Sequence, residues 1–200
     1  MNFSNAKVGF QKLFNAELLM IAAEIVSFFI IQLWWLFFVA SILIIVSFFM
    51  NLSGLKLISK DHEGYSKAYI WAIIGIIITI GGMICLFVFQ KGTTAYKYSE
   101  IFLGVGPKVA DYLTIYFVLS TSVNVAKSLN NVDLAVDAQS TLKLHLIVYA
   151  LSILLSLALK LDNIVWIIIP MLIVALVDLV LAIIAKVKYY IFLKKMANSL

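Results

Sequence analysis

Long apolar runs separated by short polar breaks dominate the pattern of this chain. Residues 18–55 contain a single ionisable side chain, Glu24, and no proline. A continuous helix of that length would measure about 57 Å at roughly 1.5 Å of rise per residue, whereas the hydrocarbon core of a bilayer is about 30 Å thick. The pattern therefore predicts that this stretch folds back as two helices, each long enough to cross a membrane.

The same division along the rest of the chain predicts an all-α integral membrane bundle of six transmembrane helices arranged as three hairpins. The spans use nearly the whole chain, so residues 1–200 are predicted to form a single membrane domain. Trp34 and Trp35 fall at the first turn and suit a membrane–water boundary, where an amphipathic ring is most stable. The predicted spans cover residues 15–31, 36–57, 67–90, 107–128, 142–159 and 163–189.

The segment between the third and fourth spans, residues 91–108, is the longest predicted loop. Its aromatic and aliphatic residues favour a piece of chain lying in the membrane interface. Gly104, Gly106 and Pro107 are expected to end that piece, because both residue types interrupt regular structure. The loop is either a site of extracellular recognition or a simple connector.

The distribution of lysines predicts the orientation. The chain has fifteen lysines, no arginine and a net charge of +5. Six spans place both termini on one side together with eleven lysines, against four on the other side: Lys91, Lys97, Lys108 and Lys160. Because positive residues accumulate on the cytoplasmic side, both termini are predicted to be cytoplasmic. A single span over residues 18–55 would reduce the difference to nine against six.

The composition excludes a soluble domain and narrows the partners. Hydrophobic residues make up 64% of the chain and charged residues 12%, against roughly 45–50% and 25% in soluble proteins. Lysines without arginine point to anionic lipid headgroups rather than to nucleic acid, and lysine-rich usage is typical of AT-rich bacterial genomes. The predicted location is the cell membrane. A lone cysteine, Cys85, rules out a disulfide framework within the chain.

Two carboxylates within predicted spans, Glu24 and Asp178, are the main candidates for chemistry. An ionisable group in lipid costs several kcal/mol and normally faces the bundle interior, a partner or a water path. No lysine is expected at matching depth, so an ion pair is not predicted. Glu24 and Asp178 are therefore either a proton- or cation-binding pair near the midplane or two neutral carboxyls that are hydrogen-bonded inside the bundle or at a subunit contact.

Span four carries a polar stripe that includes Ser120, Thr121 and Asn124. Small hydroxyl residues let membrane helices approach closely and bond to one another, so the stripe either lines a polar path or packs helices together. Gly75, Gly81 and Gly82 are predicted to be close-packing sites for the same reason, and a proline at position 170 is expected to bend span six.

The remaining polar residues have ordinary structural explanations. The run Asp61-His62-Glu63 is predicted to be a solvated turn rather than a metal site, and His145 to be either a pH-sensitive group or a satisfied bundle histidine. No phosphate-binding loop, zinc-protease helix, nucleophile elbow or serine–lysine pair stands out. No catalytic residue, metal or cofactor is predicted.

These patterns favour a non-enzymatic membrane protein over an enzyme. The leading hypothesis is a small transporter or channel-like component in which Glu24 and Asp178 are the ion-sensitive groups, acting alone, by self-association or with another membrane protein. The alternative is a non-catalytic accessory or immunity-type subunit that binds another membrane protein.

Overall fold

The computed structural model describes residues 4–29, 33–158 and 168–200, apart from the side chains of Phe28, Ile168 and Ile169. These ranges contain six α-helices and no strand, which confirms the all-α prediction. The short break predicted between the fifth and sixth spans, residues 160–162, lies outside them. The helices are α1 (Ser4–Phe28), α2 (Leu36–Ile58), α3 (Glu63–Val88), α4 (Thr94–Ser128), α5 (Val132–Ala158) and α6 (Ile168–Ser199).

Within the described ranges, five helices are long and apolar enough to cross a membrane, which supports a multi-pass membrane protein. They are α2 to α5 and the part of α6 from Pro170 to Ser199. The first helix, α1, is not among them, since it carries Lys7, Lys12, Glu17 and Glu24. The predicted division of residues 18–55 into two helices is confirmed, because α1 ends at Phe28 and α2 begins at Leu36, but six spans, three hairpins and cytoplasmic termini stay predictions.

The fourth helix begins well before its predicted span. Thr93 has an extended backbone, and its hydroxyl accepts a hydrogen bond from the amide of Tyr96, so it caps the start of α4. The helix then continues through Gly104, Gly106 and Pro107, so the expectation that these residues end a separate interfacial piece is wrong. Pro107 removes one backbone donor within the helix.

A tight turn joins α4 to α5. Asn130 adopts a left-handed conformation, with φ of 54°, and the amide of Asn131 donates to the carbonyl of Ala126 at 2.9 Å. These features form a Schellman C-cap, in which an asparagine occupies the position that glycine usually takes. The side chain of Asn131 then accepts from the amide of Leu134 and caps α5. This pair of caps starts α5 at Val132 rather than near 142.

The described chain divides into two compact units: residues 1–69 with 189–200, and residues 70–188. In the first unit, α1 packs antiparallel to α2. A Cβ atom built on Gly9 would lie 2.9 Å from the carbonyl oxygen of Gly54, and one built on Gly54 equally close to that of Gly9. Farther along, the Ser47 hydroxyl donates to the Ala16 carbonyl at 2.7 Å. Two glycines therefore set the closest approach of these helices.

Asp61 holds the beginning of α1. One carboxylate oxygen accepts from the side-chain amide of Asn5 at 2.8 Å, and the other accepts from the backbone amide of Ala6 at 2.7 Å. The first amides of a helix lack partners within it and carry a partial positive charge. Asp61 is therefore a cap supplied by a distant part of the chain. Asp61 lies in a half-exposed turn, as the sequence predicts, and the capping role is the feature that the sequence did not predict.

In the second unit, α4 packs antiparallel to α3 across glycines. A Cβ atom on Gly82 would lie 2.8 Å from Leu103, one on Gly106 would lie 2.7 Å from Ile78, and one on Gly75 would lie 3.1 Å from Ala110. Of the predicted close-packing sites, Gly75 and Gly82 are confirmed. A Cβ atom on Gly81 would meet nothing within 4 Å, so that prediction is wrong.

The apolar surface of α6 is the clearest mark of a lipid environment. Long aliphatic side chains on consecutive turns are exposed, with Leu176 at 63% and Leu179 at 58%. Soluble proteins rarely expose contiguous apolar patches of this kind. A helix that is apolar around most of its surface and largely unburied by protein is typical of a span whose solvent is hydrocarbon.

Candidate functional site

A lysine in the middle of α4 organises a polar cluster in the second unit. Lys108 extends to α5, where its ammonium donates to the Ser152 hydroxyl at 2.8 Å, to the Ser152 carbonyl at 3.1 Å and to the Ser156 hydroxyl. An ammonium has three donors and no acceptor. Its three N–H groups are matched by three oxygens, all contributed by one face of α5.

The position of these serines along α5 shows which part of that helix the Lys108 ammonium reaches. Ser152 lies nine residues after Lys143 and eight before Lys160, so it falls in the middle of the apolar part of α5. Lysines mark the ends of membrane helices because their ammonium groups reach the headgroups. Lys108 therefore lies within α4 beside the apolar part of α5, rather than in the outer loop to which the sequence assigned it.

Asp178 of α6 is the acidic member of the cluster. Lys108 is near enough to act electrostatically on it, but no salt bridge joins the two among the described residues, so the prediction that no ion pair forms is not contradicted. The Oδ1 atom of Asp178 is buried and accepts no hydrogen bond from the described residues. A buried carboxylate oxygen of this kind is costly unless a proton, water or ion satisfies it. We name Lys108, Ser152, Ser156 and Asp178 the Lys108 centre.

The structure also brings a serine and a lysine together, although none stood out in the sequence. In a Ser–Lys hydrolase, the amine takes the proton of the serine hydroxyl. Here the Ser156 hydroxyl donates to the Ser152 carbonyl at 2.8 Å, so its proton points away from Lys108. Both serines lie within α5, where the backbone amides are used by the helix and none is available as an oxyanion donor. The arrangement favours binding over nucleophilic catalysis.

Other charged residues near Lys108 point elsewhere. Asp111, one helical turn farther along α4, faces α3: its Oδ1 atom would lie 3.9 Å from a Cβ atom built on Gly75. Tyr112 packs against Tyr149 of α5 with ring centroids 5.7 Å apart. Lys108 is therefore the cation of α4 that acts on Asp178, with an aromatic contact adjoining it on the α5 side.

Glu24 lies in the first unit, where its side chain is exposed on α1. Since α1 ends at Phe28, Glu24 is one turn from the end of its helix rather than near the middle, where the sequence placed it. The hydrogen bond between Ser47 and Ala16 leads to the same conclusion. Glu24 lies about 12 Å farther along α1 than Ala16. The same distance measured back along α2 from Ser47 reaches the beginning of α2, so Glu24 is level with it. Its role as an ion-binding partner of Asp178 stays a prediction.

The polar stripe of α4 is divided between the interior and the surface of its helix. Thr121 is buried, Ser120 is half-buried and Asn124 is exposed. Neighbouring hydroxyls bond to their own helix, as when Ser122 donates to the Val118 carbonyl at 2.8 Å. Such bonds satisfy a hydroxyl without a second helix or a ligand. Close packing explains Thr121 and Ser122, and the lining of a polar path stays a prediction.

His145 is a buried member of α5. Its Nδ1 atom lies 2.9 Å from the carbonyl oxygen of Thr141, and its ring stacks on Tyr149. Because a carbonyl only accepts hydrogen bonds, Nδ1 carries a proton in this contact. Of the two alternatives left by the sequence, this geometry favours a histidine with a partner inside the bundle.

Sequence reasoning missed Lys108 because it treated every lysine as a loop or helix-end residue. The available signal was the spacing of Lys108, Asp111 and Tyr112, which puts three polar groups on neighbouring turns of one helix. Within the described ranges, no three histidine, cysteine, aspartate or glutamate side chains group so as to hold a metal ion. In comparisons with known proteins the chain matches no family model, no curated protein and no solved structure, so functional inference starts from the geometry of the Lys108 centre.

Proposed function

We propose that this multi-pass membrane protein is a small transporter or channel-like component of the cell membrane, and that solute or ion interacts with it at the Lys108 centre. The protein acts by binding and passage, without a covalent catalytic step. The proposal is supported by ionisable groups within helices whose outer surfaces face lipid, since such groups commonly mark ion and substrate pathways.

The observation that carries the proposal is the set of hydrogen bonds made by Lys108. A lysine within a membrane helix costs several kcal/mol unless it is compensated, and apolar residues of similar volume would pack the same space at no such cost. Here three oxygens of α5 accept the N–H bonds of its ammonium. A hydrogen-bonded lysine is a costly way to fill space between membrane helices, whereas such a group is a normal component of an ion pathway.

The test is transport by the purified protein in liposomes. Fluxes of protons, potassium, sodium, chloride and lactate are measured with the wild type, with Lys108→Met and with Lys91→Met. Lys91 is an exposed lysine in the turn before α4 and serves as the matched control. Lys108→Met is expected to lower the initial rate at least tenfold, equivalent to about 1.4 kcal/mol of barrier, while Lys91→Met keeps the wild-type rate.

Two outcomes contradict this proposal. Absence of flux for every ion with the wild type removes the transporter hypothesis and favours the accessory subunit. Equal flux in wild type and Lys108→Met, with both proteins monodisperse and helical, shows that transport does not use the Lys108 centre.

A further inference from the structure

We infer that Lys108, Ser152 and Ser156 form a binding site for one singly charged anion between α4 and α5. This inference names the ligand class of the proposed transport function and rests on that function for its role in transport, whereas binding is measured separately. It depends on the hydrogen bonds that join the Lys108 ammonium to the two serines of α5.

Hydrogen-bond donors outnumber acceptors in this group of side chains. The ammonium has three hydrogens and each serine hydroxyl has one. The acceptors within the group are the hydroxyl oxygens of Ser152 and Ser156 and the carbonyl oxygen of Ser152. That carbonyl also accepts from the Ser156 hydroxyl at 2.8 Å, so two side-chain donors share it. The group therefore lacks an acceptor rather than a donor.

The hydroxyl hydrogen of Ser152 is the donor without an acceptor. Its oxygen accepts from Lys108 at 2.8 Å, and among the described residues this hydroxyl donates to no other group. Hydroxyls elsewhere on these two helices, such as those of Thr114 and Ser156, donate to a carbonyl of their own helix one turn earlier. A free hydroxyl hydrogen beside an ammonium is suited to bind an anion, because both donors then form charge-assisted bonds to it.

The charge of Lys108 favours an anion over a neutral ligand. Its three acceptors are neutral oxygens, and no carboxylate, that of Asp178 included, forms a salt bridge with it among the described residues. A positive charge without a contacting counter-charge is costly between helices apolar enough to cross a membrane. Water or a sugar hydroxyl would supply an acceptor but no charge, and a cation would be repelled. One singly charged anion supplies both.

The site is open on one side. Lys108, Ser152 and Ser156 are each half-buried, so a further group can contact them without separation of the helices. On the neighbouring turn, Tyr112 packs against Tyr149 with ring centroids 5.7 Å apart and fills the interface between α4 and α5. Ser156 lies on the opposite side of the site, in the last described turn of α5. An anion therefore approaches from the side of Ser156.

The test is anion binding to the purified protein in an uncharged detergent. Melting temperatures are measured in sodium chloride, sodium nitrate and sodium lactate, with sodium sulfate at equal ionic strength as the reference. Chloride is expected to raise the melting temperature of the wild type, because a ligand that binds only the folded state stabilises it. Replacement of sodium by potassium is expected to change nothing.

Substitutions show whether the binding uses this site. Lys108→Met is expected to abolish the chloride shift, and Lys108→Arg, which keeps the positive charge, to retain it. Ser152→Ala is expected to raise the apparent Kd of chloride at least about threefold through loss of one hydrogen bond, and Ser152→Thr to restore it. Circular dichroism checks that each variant is helical.

Lys12→Met is the matched control. Lys12 donates to the hydroxyl of Ser53 at 2.8 Å in the first unit, so it is also a lysine that bonds to a serine of a neighbouring helix. It contacts one hydroxyl rather than two, and its replacement is expected to leave the chloride shift at the wild-type value.

A dissolved anion and the phosphodiester of a lipid headgroup share the chemistry that this site binds. A second arm of the experiment titrates phosphatidylglycerol into the protein at low chloride, with phosphatidylcholine, whose headgroup has no net charge, as the control. A chloride shift in lipid-free detergent assigns the site to dissolved anions. Stabilisation by phosphatidylglycerol alone that is lost in Lys108→Met assigns it to a lipid.

The outcomes separate this inference from the transport proposal. No response of the wild type to any of these anions, or an equal response in wild type and Lys108→Met, overturns the anion site. Chloride binding at Lys108 without flux in liposomes contradicts the proposed transport function but leaves the site in place. Cation flux together with absence of anion binding does the reverse.

Discussion

Asp61 connects two helix beginnings at the scale of single side chains. Its carboxylate accepts from Asn5 and from the backbone amide of Ala6, while His62, the next residue, accepts through Nδ1 from the amide of Gly64 and caps α3. A negative group at a helix N-terminus accepts hydrogen bonds from backbone amides that lack partners, and it interacts favourably with the positive end of the helix dipole. Neighbouring residues of one short turn thus fix the starts of α1 and α3.

Replacing this carboxylate should loosen α1 at its beginning. Asp61→Ala removes two hydrogen bonds and is expected to lower the free energy of unfolding by about 1–2 kcal/mol. The neighbouring exposed lysine is the matched control, and Lys60→Ala is expected to change stability by no more than about 0.5 kcal/mol. Denaturant titration of both variants in detergent, followed by circular dichroism, measures the difference. Equal stability of the two variants would show that the cap contributes nothing.

At the scale of helices, glycines decide how closely neighbours pack. Gly9 and Gly54 bring the backbones of α1 and α2 together, where any Cβ atom would press on a carbonyl oxygen that cannot move aside. Gly82 and Gly106 instead face the ends of Leu103 and Ile78, which can rotate. The first crossing is therefore the less tolerant of substitution.

Alanine substitutions at two glycines should have opposite effects. Gly54→Ala is expected to destabilise the protein by about 1–3 kcal/mol, because overpacking at a backbone contact forces the helices apart. Gly81→Ala, in an open position of α3, is expected to be neutral or to stabilise by up to about 1 kcal/mol, since alanine is the better helix former. Unfolding titrations in detergent compare the two variants. A Gly54→Ala protein as stable as Gly81→Ala would contradict the close crossing.

The apolar runs were sufficient to predict the helices but not their full lengths. Length against bilayer thickness correctly separated α1 from α2. The same criterion places the beginning of a helix where polar residues end, so it missed the first turns of α4. There the helix begins among tyrosines and lysines, because Thr93 caps it. Lys108 was assigned to a loop for the same reason. Its compensation by Ser152 and Ser156 depends on tertiary contacts, which hydropathy does not contain.

At the scale of the whole chain, α1 decides whether the termini share one side of the membrane. By composition α1 is too charged to qualify as a span. Its contacts favour a crossing nevertheless, because Ala6 pairs with Asp61, Gly9 with Gly54 and Ala16 with Ser47. An α1 that crosses alongside α2 in this order would place Lys7 and Glu24 toward its ends and Glu17 at its centre.

Six crossings place the two termini on the same side, whereas five place them on opposite sides. If Lys108 is counted with α4 rather than with the outer loop, the lysines divide eleven against three, and cytoplasmic termini stay the prediction. Single cysteines test it in a Cys85→Ser background: Ser4→Cys and Ser199→Cys are expected to react with a membrane-impermeant maleimide only after cell lysis, and Lys91→Cys in intact cells. Labelling of Ser4→Cys in intact cells, with Ser199→Cys protected, would show that α1 lies on the membrane surface instead of crossing it.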